Sequence, residues 1–277
     1  MAAHPAAQDY NGPSKRPKVM QTVDKALGLL HYFTLSKPEF GLSELARTAG
    51  LDKATTLRCL AALERHGFVE QHPESKKYRL GFSLLQLARI REVSFPVTAL
   101  IRPIVDHLAD LTGETAHASL LSGNDLVNIV IAEPQRAIRV SLDPSELLPL
   151  HASASGNVML AFADQDKLAR IGLSDQLEAY TDNTVTSRDQ LEGHLTEIRA
   201  KGYAITDQTF EPDVTGTAAP VFDWAGKAVG AVAVAAISSR YTGTAAERIR
   251  REVVSAAAEI TRQLGGNEAT SLQATGS

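Results

Sequence analysis

Five side chains beyond residue 113 are of the types that hydrolases use: Ser153 and Ser155 as nucleophiles, His117 and His151 as bases, and Asp207 as an orienting acid. The serines lie in "HASASGN", which is not the G-x-S-x-G turn that raises a nucleophile, and no spacing fixes a histidine beside either of them. An enzyme is therefore a weak reading. The same segment supports different chemistry, because Ser153 or Ser155 starts a helix at Gly156. A helix start presents N–H groups and a partial positive charge, which suit a carboxylate. The strands expected to face it carry small residues, Gly216 to Ala219 in one and Ala231, Ala233, Ala235 and Ala236 in the other. Such residues leave room for a ligand or permit tight helix–sheet packing.

Metal chemistry has less support. His117 in "TAHAS" fits a packed or hydrogen-bonded strand residue, and neither it nor His151 has an H-E-x-x-H partner. The single cysteine, Cys59, can form no internal disulfide, lacks metal-site spacing and reads as a small packed hydrophobe. No metal and no cofactor is expected, and a reducing compartment, the cytoplasm, fits.

A second polar constellation lies near the N-terminus, in "GLSELARTAGLDKATTLRCLAALERHGFVEQHPESKKYRLG". Asp52 caps a helix whose core side is Thr56, Cys59, Leu60 and Leu63, and Gly67 ends it. Lys53, Ala54, Leu57 and Arg58 fall on the opposite face. A preceding short helix, "ELARTA", takes Ser43 as its N-cap and stops at Gly50. After Gly67, "FVEQH", the turn "PESKK" and "YRLG" form a hairpin. Helix, helix, turn, helix, hairpin is the order of a winged helix-turn-helix. In that arrangement Arg58 suits guanine and Leu57 a thymine methyl, while Ser43, Thr55 and the helix N–H groups position phosphates. The wing residues Lys76, Lys77 and Arg79 neutralise the duplex backbone. The alternative is a protein-docking winged helix with a solvated, Lys-rich turn. Charge leans toward nucleic acid: residues 1–81 hold 12 Lys and Arg against 8 Asp and Glu, and the remainder 16 against 24.

The elements that position these groups read as an α+β protein of two domains within 277 residues. Residues 1–18 and 265–277 are small and polar and are expected to be disordered tails. Residues 19–81 form the first domain, opened by a helix "TVDKALGLLHYF" with Val23, Ala26, Leu27, Leu30 and Phe33 on one face. Residues 82–112 are helical, interrupted near Pro96 and Pro103, and connect the domains while offering a dimer surface. Residues 113–264 alternate strands ("TAHASLLS", "DLVNIVIAE", "IRVSL", "YAITDQTF", "GTAAPVFD", "AVGAVAVAAIS") with helices near 156–163, 164–171, 187–201 and 244–264. Hairpin turns at "SGND" and "DWAGK" make the central sheet antiparallel. No apolar run is long enough to span a membrane, and no secretory signal opens the chain.

The motifs "GLSELARTAGLDKATTLRCLAALERHGFVE…YRLG", "LADLTGETAHASLL", "LPLHASASGNVMLAF" and "GYAITDQTFEPDVTGTAAPVFDWAGKAVGAVAVAA", in this order across residues 20–262, resemble the IclR family of bacterial transcription regulators. The resemblance implies a winged helix-turn-helix, a linker helix and a GAF-like effector-binding domain, assembled as dimers or dimers of dimers on promoter DNA. It implies an effector site around Leu148, Ala154, Ser155, Gly156, Thr206, Asp207, Gly216, Ala233 and Ala235; from its place in "TAHAS", His117 is expected to border that pocket. Relatives that sense small keto acids look to carry a Cys and two Ser at the positions of Gly216, Ala233 and Ala235. Their loss here points to a bulkier, more apolar effector acid, aromatic among the options. Asn157 stands where the family usually has Lys, and Asp213 where it usually has Gly; the second substitution is expected to alter only a loop. The whole reading is a ligand-responsive repressor of a catabolic operon.

Overall fold

The computed structural model describes residues 20–266, so the expected tails at 1–18 and 265–277 lie outside the described residues except for Gly265 and Gly266, whose N–H groups donate to the Arg262 and Thr261 carbonyls. The chain divides into two compact units between Leu87 and Ala88.

The first unit contains α1 (Gln21–Gly28), a 3₁₀ turn over Leu29–Tyr32, α2 (Leu42–Thr48), α3 (Lys53–Arg65) and a hairpin of β1 (Val69–Gln71) and β2 (Tyr78–Leu80). Its core joins Leu29, Phe33, Phe40, Leu45, Cys59, Leu60, Leu63, Val69 and Tyr78. The buried side of α3 is Thr56, Cys59, Leu60 and Leu63, as its periodicity requires. The first helix departs from expectation. Val23 and Leu27 are about half exposed, while Leu29 is buried. The chain tightens to three residues per turn at Leu29, which rotates the apolar stripe out of its 3.6-residue phase.

Ser43 is not the N-cap of α2. Phe40 exchanges both backbone hydrogen bonds with Tyr78 (3.0 and 2.7 Å), which keeps the chain extended up to Gly41, and the helix begins directly after it. Glu44 reaches back to accept from the Gly41 N–H at 3.4 Å, leaving Ser43 exposed in the first turn.

α4 (Phe82–Ser94) straddles the division and α5 (Val97–Thr112) opens the second unit. Pro96 separates these helices, but Pro103 lies inside α5 without ending it. Its missing N–H deprives only the Ala99 carbonyl, on the exposed side of the helix.

The second unit is built on an antiparallel five-stranded sheet in the order β4-β3-β7-β6-β5. Its strands are β3 (Thr115–Ser122), β4 (Asp125–Ala132), β5 (Ala204–Asp207), β6 (Val214–Phe222) and β7 (Ala228–Ile237). Side chains alternate across it. Ala116, Ala118, Val232 and Val234 pack with α5 and with α9 (Gly243–Gln263) on one face. Ala218, Ala231 and Ala233 face α6 (Ala154–Phe162) and α8 (Arg188–Lys201) on the other. A short α7 (Gln165–Ile171) follows α6.

The expected strand "IRVSL" does not form. Residues 133–153 make an irregular strap, because both edges of β3 are already taken by β4 and β7. The strap is held by side chains instead: Thr115 Oγ1 donates to the Val140 carbonyl at 2.5 Å, and Arg240 Nη1 to that of Ile138 at 3.4 Å. Arg240 also grips Glu114 through two 2.6 Å bonds, with Arg136 at 3.7 Å, and the Glu114 side chain is only 4% exposed. Replacing Arg240 by Ala leaves this carboxylate buried without its fork. Such a loss costs about 3 kcal/mol, to be read as a lowered denaturation midpoint at unchanged slope; a shift below a few tenths of that would show that Arg136 suffices.

Candidate functional site

Ser153, not Ser155, caps α6: its Oγ accepts from the Gly156 N–H at 3.0 Å and donates to the Pro149 carbonyl at 2.8 Å. Asn157 then ties the end of the strap to the helix, its Nδ2 approaching the carbonyls of Leu150, His151 and Ser153 at 3.2, 2.9 and 3.0 Å. The position is thus turned to the strap rather than to a ligand. Among the described residues, the N–H groups of Ala154 and Ser155 in the first turn have no hydrogen-bond acceptor.

Beside this turn lies a cavity of about 60 Å³. Of the residues expected at an effector site, His117, Leu148, Ala154, Ser155, Thr206, Gly216, Ala233 and Ala235 line it. Two do not. Gly156 is covered by the strap, since a Cβ there would stand 2.4 Å from Leu150 Cα. Asp207 accepts from Thr215 Oγ1 at 2.9 Å and faces a separate polar groove shared with Asn157, Lys201 and Arg250. The cavity also takes Val140, Leu142, Ser153, Phe210, Glu211 and Val214, which sequence reasoning missed. Most belong to irregular segments without a period; Ser153 was available as the alternative cap. Asp213, near them, adopts φ +61°, the left-handed conformation that favours glycine and that Asp tolerates.

His117 Nε2 and Ser155 Oγ are 3.3 Å apart, the contact a serine hydrolase needs. Here it lacks its third member. Nδ1 of His117 is buried without a partner, so no acid orients the ring, and Asp207 is engaged elsewhere. His151 is likewise occupied, with Nε2 2.8 Å from the Glu178 carbonyl. Burial pushes the His117 imidazole down to about 4, which keeps it neutral near pH 7.

In the first unit, Lys53, Ala54, Leu57 and Arg58 are exposed on α3 and Thr55 is half-buried. Asp52 Oδ1 accepts from the Thr55 N–H at 2.8 Å, a bond that holds its carboxyl below the ordinary value. Arg58 Nη2 rests 3.2 Å from Thr55 Oγ1. Lys76, at φ +56°, and Lys77 project from the hairpin turn. Arg79 differs from them, because its Nε is 2.6 Å from Glu70 on the paired strand and its charge is partly offset.

Residues 22–73 match the IclR helix-turn-helix domain, and residues 93–262 match the domain described as bacterial transcriptional regulator IclR C-terminal. The chain belongs to the IclR family. It is 33% identical over 253 residues to the glycerol operon regulatory protein of Streptomyces griseus, covering 89% of this chain and 97% of that one. It is 29% identical over 249 residues to the transcriptional repressor IclR of Escherichia coli K12, covering 89% and 91%. The structure of an IclR-type regulator from Silicibacter sp. TM1040 superposes with a TM-score of 0.82 at 36% identity, covering 89% and 97%. IclR-family proteins are DNA-binding transcription regulators, not enzymes, which agrees with the unoriented Ser155–His117 pair. No helix among the described residues is long and apolar enough to cross a membrane.

The neutral His117 gives this IclR-type domain a testable acid sensitivity. Unfolding returns the ring to its ordinary value of 6.5, so the unfolded chain takes up more protons between the two values. The penalty is absent above about pH 6.5, grows as pH falls, and is complete near pH 4, at about 3 kcal/mol for a shift of this size. Urea unfolding of wild type and His117→Gln from pH 7.5 to 4.5 should show the wild type losing stability more steeply; parallel curves would mean that His117 titrates normally.

Proposed function

We propose that this chain is a ligand-responsive, sequence-specific repressor of a catabolic operon, acting in the cytoplasm as a homodimer or tetramer. Residues 19–81 form the DNA-binding domain, 82–112 the linker and 113–264 the effector domain. The observation that carries the ligand part is the half-open, mainly apolar cavity against the first turn of α6, where two backbone N–H groups lack acceptors. That turn offers a seat for a carboxylate, so the effector is a small organic acid.

The lining bears on which acid: the absence of polar groups at Gly216, Ala233 and Ala235 favours an apolar body over a keto group.

On DNA, α3 enters the major groove with Lys53, Ala54, Leu57 and Arg58 toward the bases, while Ser43, Thr55, Lys76, Lys77 and Arg79 meet phosphates. Arg79 contributes least, being paired to Glu70. Retardation of the DNA upstream of the protein's own coding region, at several salt concentrations with and without candidate acids, tests the reading. A steep salt slope and relief by one acid support it; absence of any retardation at low salt would favour a protein-docking winged helix. Arg58→Ala should weaken specific binding about tenfold or more while leaving nonspecific binding nearly unchanged. Equal losses would make Arg58 a phosphate contact.

The oligomer reading rests on α4, which has no buried residue although Phe82, Leu85, Leu87, Ile90 and Val93 are apolar and exposed, Val93 at 84%. A second copy covering this helix explains that composition. Val93→Asp should therefore lower the sedimenting mass at micromolar concentration, and an unchanged mass would place the interface elsewhere.

A further inference from the structure

Two polar groups in the cavity have no protein partner among the described residues. Glu211, half-buried on the segment between β5 and β6, makes no hydrogen bond or ion pair among the described residues. His117, 6% exposed, lines the same cavity with Nδ1 unpartnered. If Nε2 accepts from Ser155, Nδ1 carries the proton and donates; in the other tautomer Nδ1 accepts. In either case a hydrocarbon filling the cavity leaves it orphaned, which is unfavourable. The apolar lining from Val140, Leu142, Leu148, Phe210 and Val214 satisfies neither group.

We propose that the effector carries, besides its carboxylate, a hydrogen-bond donor, a hydroxyl or an amine, and that Glu211 is the residue that selects for it. The inference rests on the organic-acid reading above and goes further by fixing the second functional group.

The α6 turn and His117 receive the carboxylate, and Glu211 receives the donor. Charge excludes the obvious alternatives. A second carboxylate would meet Glu211 and the nearby Glu146, whose charge, after burial, already holds the Glu211 carboxyl above its ordinary range. Asp143 adds to the same field by raising Glu146 in turn. An unsubstituted alkyl end would strip water from Glu211 and return nothing. A donor is the group that offsets this desolvation, as a charge-assisted hydrogen bond from a hydroxyl or an ion pair from an ammonium.

Isothermal titration of the full-length protein with matched acids tests this: propionate, 3-hydroxypropionate, β-alanine and malonate, with benzoate and 4-hydroxybenzoate as a ring-bearing pair. A donor-bearing member should bind about tenfold or more tighter than its unsubstituted partner, with malonate weakest in its series. The hydroxyl and amine arms identify which donor is used. In Glu211→Gln, the preference for the donor should fall to about threefold or less and malonate should gain. Propionate binding as tightly as 3-hydroxypropionate, and benzoate as tightly as 4-hydroxybenzoate, would overturn the donor inference while leaving an acid-binding cavity. A preference that survives intact in Glu211→Gln would remove Glu211 as the selector. Binding of none of the acids, with the DNA retardation intact, would overturn the organic-acid reading and this inference with it.

Discussion

The closeness of the first turn of α6 to its neighbours governs the second unit. A Cβ on Gly156 would fall 2.4 Å from the Leu150 backbone, and one on Gly216 would fall 2.8 Å from Thr206 Oγ1 and 3.1 Å from Ala154 Cβ. No side chain fits at Gly156, one at Gly216 requires Thr206 and Ala154 to give way, and the strands beneath are alanine-rich, which lets the helix lie this near. All nine residues of α6 are buried as a result. Small residues that sequence reading left between two explanations serve both: they permit the tight packing, and where the packing stops short they leave the cavity.

The two polar constellations work in opposite dielectric regimes. On α3 and the hairpin, charges face solvent, and each is worth little until it displaces a condensed counterion from a polyanion. Such a surface tolerates the Glu70–Arg79 pair and depends on the number of cations. In the cavity, single groups dominate: one imidazole is held neutral by burial alone, and one carboxylate is raised by burial and a neighbouring charge. There the identity of each residue matters more than the net charge of the domain.

What the sequence disclosed follows the same division between local and tertiary causes. Asp52 as a cap, Gly67 as a stop and the buried side of α3 are set within a few residues, and they were legible. The strands and turns of the central sheet were legible through alternation and through "SGND" and "DWAGK". Leu29 was missed because a switch from α to 3₁₀ winding leaves no mark in an apolar period. Ser43 was misplaced because the start of α2 is fixed by Tyr78, more than thirty residues away. The strap was read as a strand because "IRVSL" alternates, although the sheet has no edge free to pair with it beside β3. The family resemblance supplied part of the cavity lining; Phe210 and Glu211 escaped it because they sit in an irregular connection where no pattern signals which side chain turns inward.

The strap also shows where ligand binding can be converted into a change of state. Its first part is pinned by Thr115 and Arg240, and its end by Asn157. Between them, the Leu148 N–H reaches the Leu126 carbonyl at 3.4 Å, and the Leu148 side chain packs with Leu126 and Met159. Leu148 nevertheless lines the cavity, and Glu146 bears on Glu211. A ligand shifts an equilibrium only by the difference in its affinity for two arrangements. Rigidly held walls such as Ala233 and Gly216 offer almost no second arrangement. The strap, which reaches the cavity through Val140, Leu142 and Leu148 but has no place in the ladder of the sheet, is where a proposed effector's contacts can differ between two arrangements.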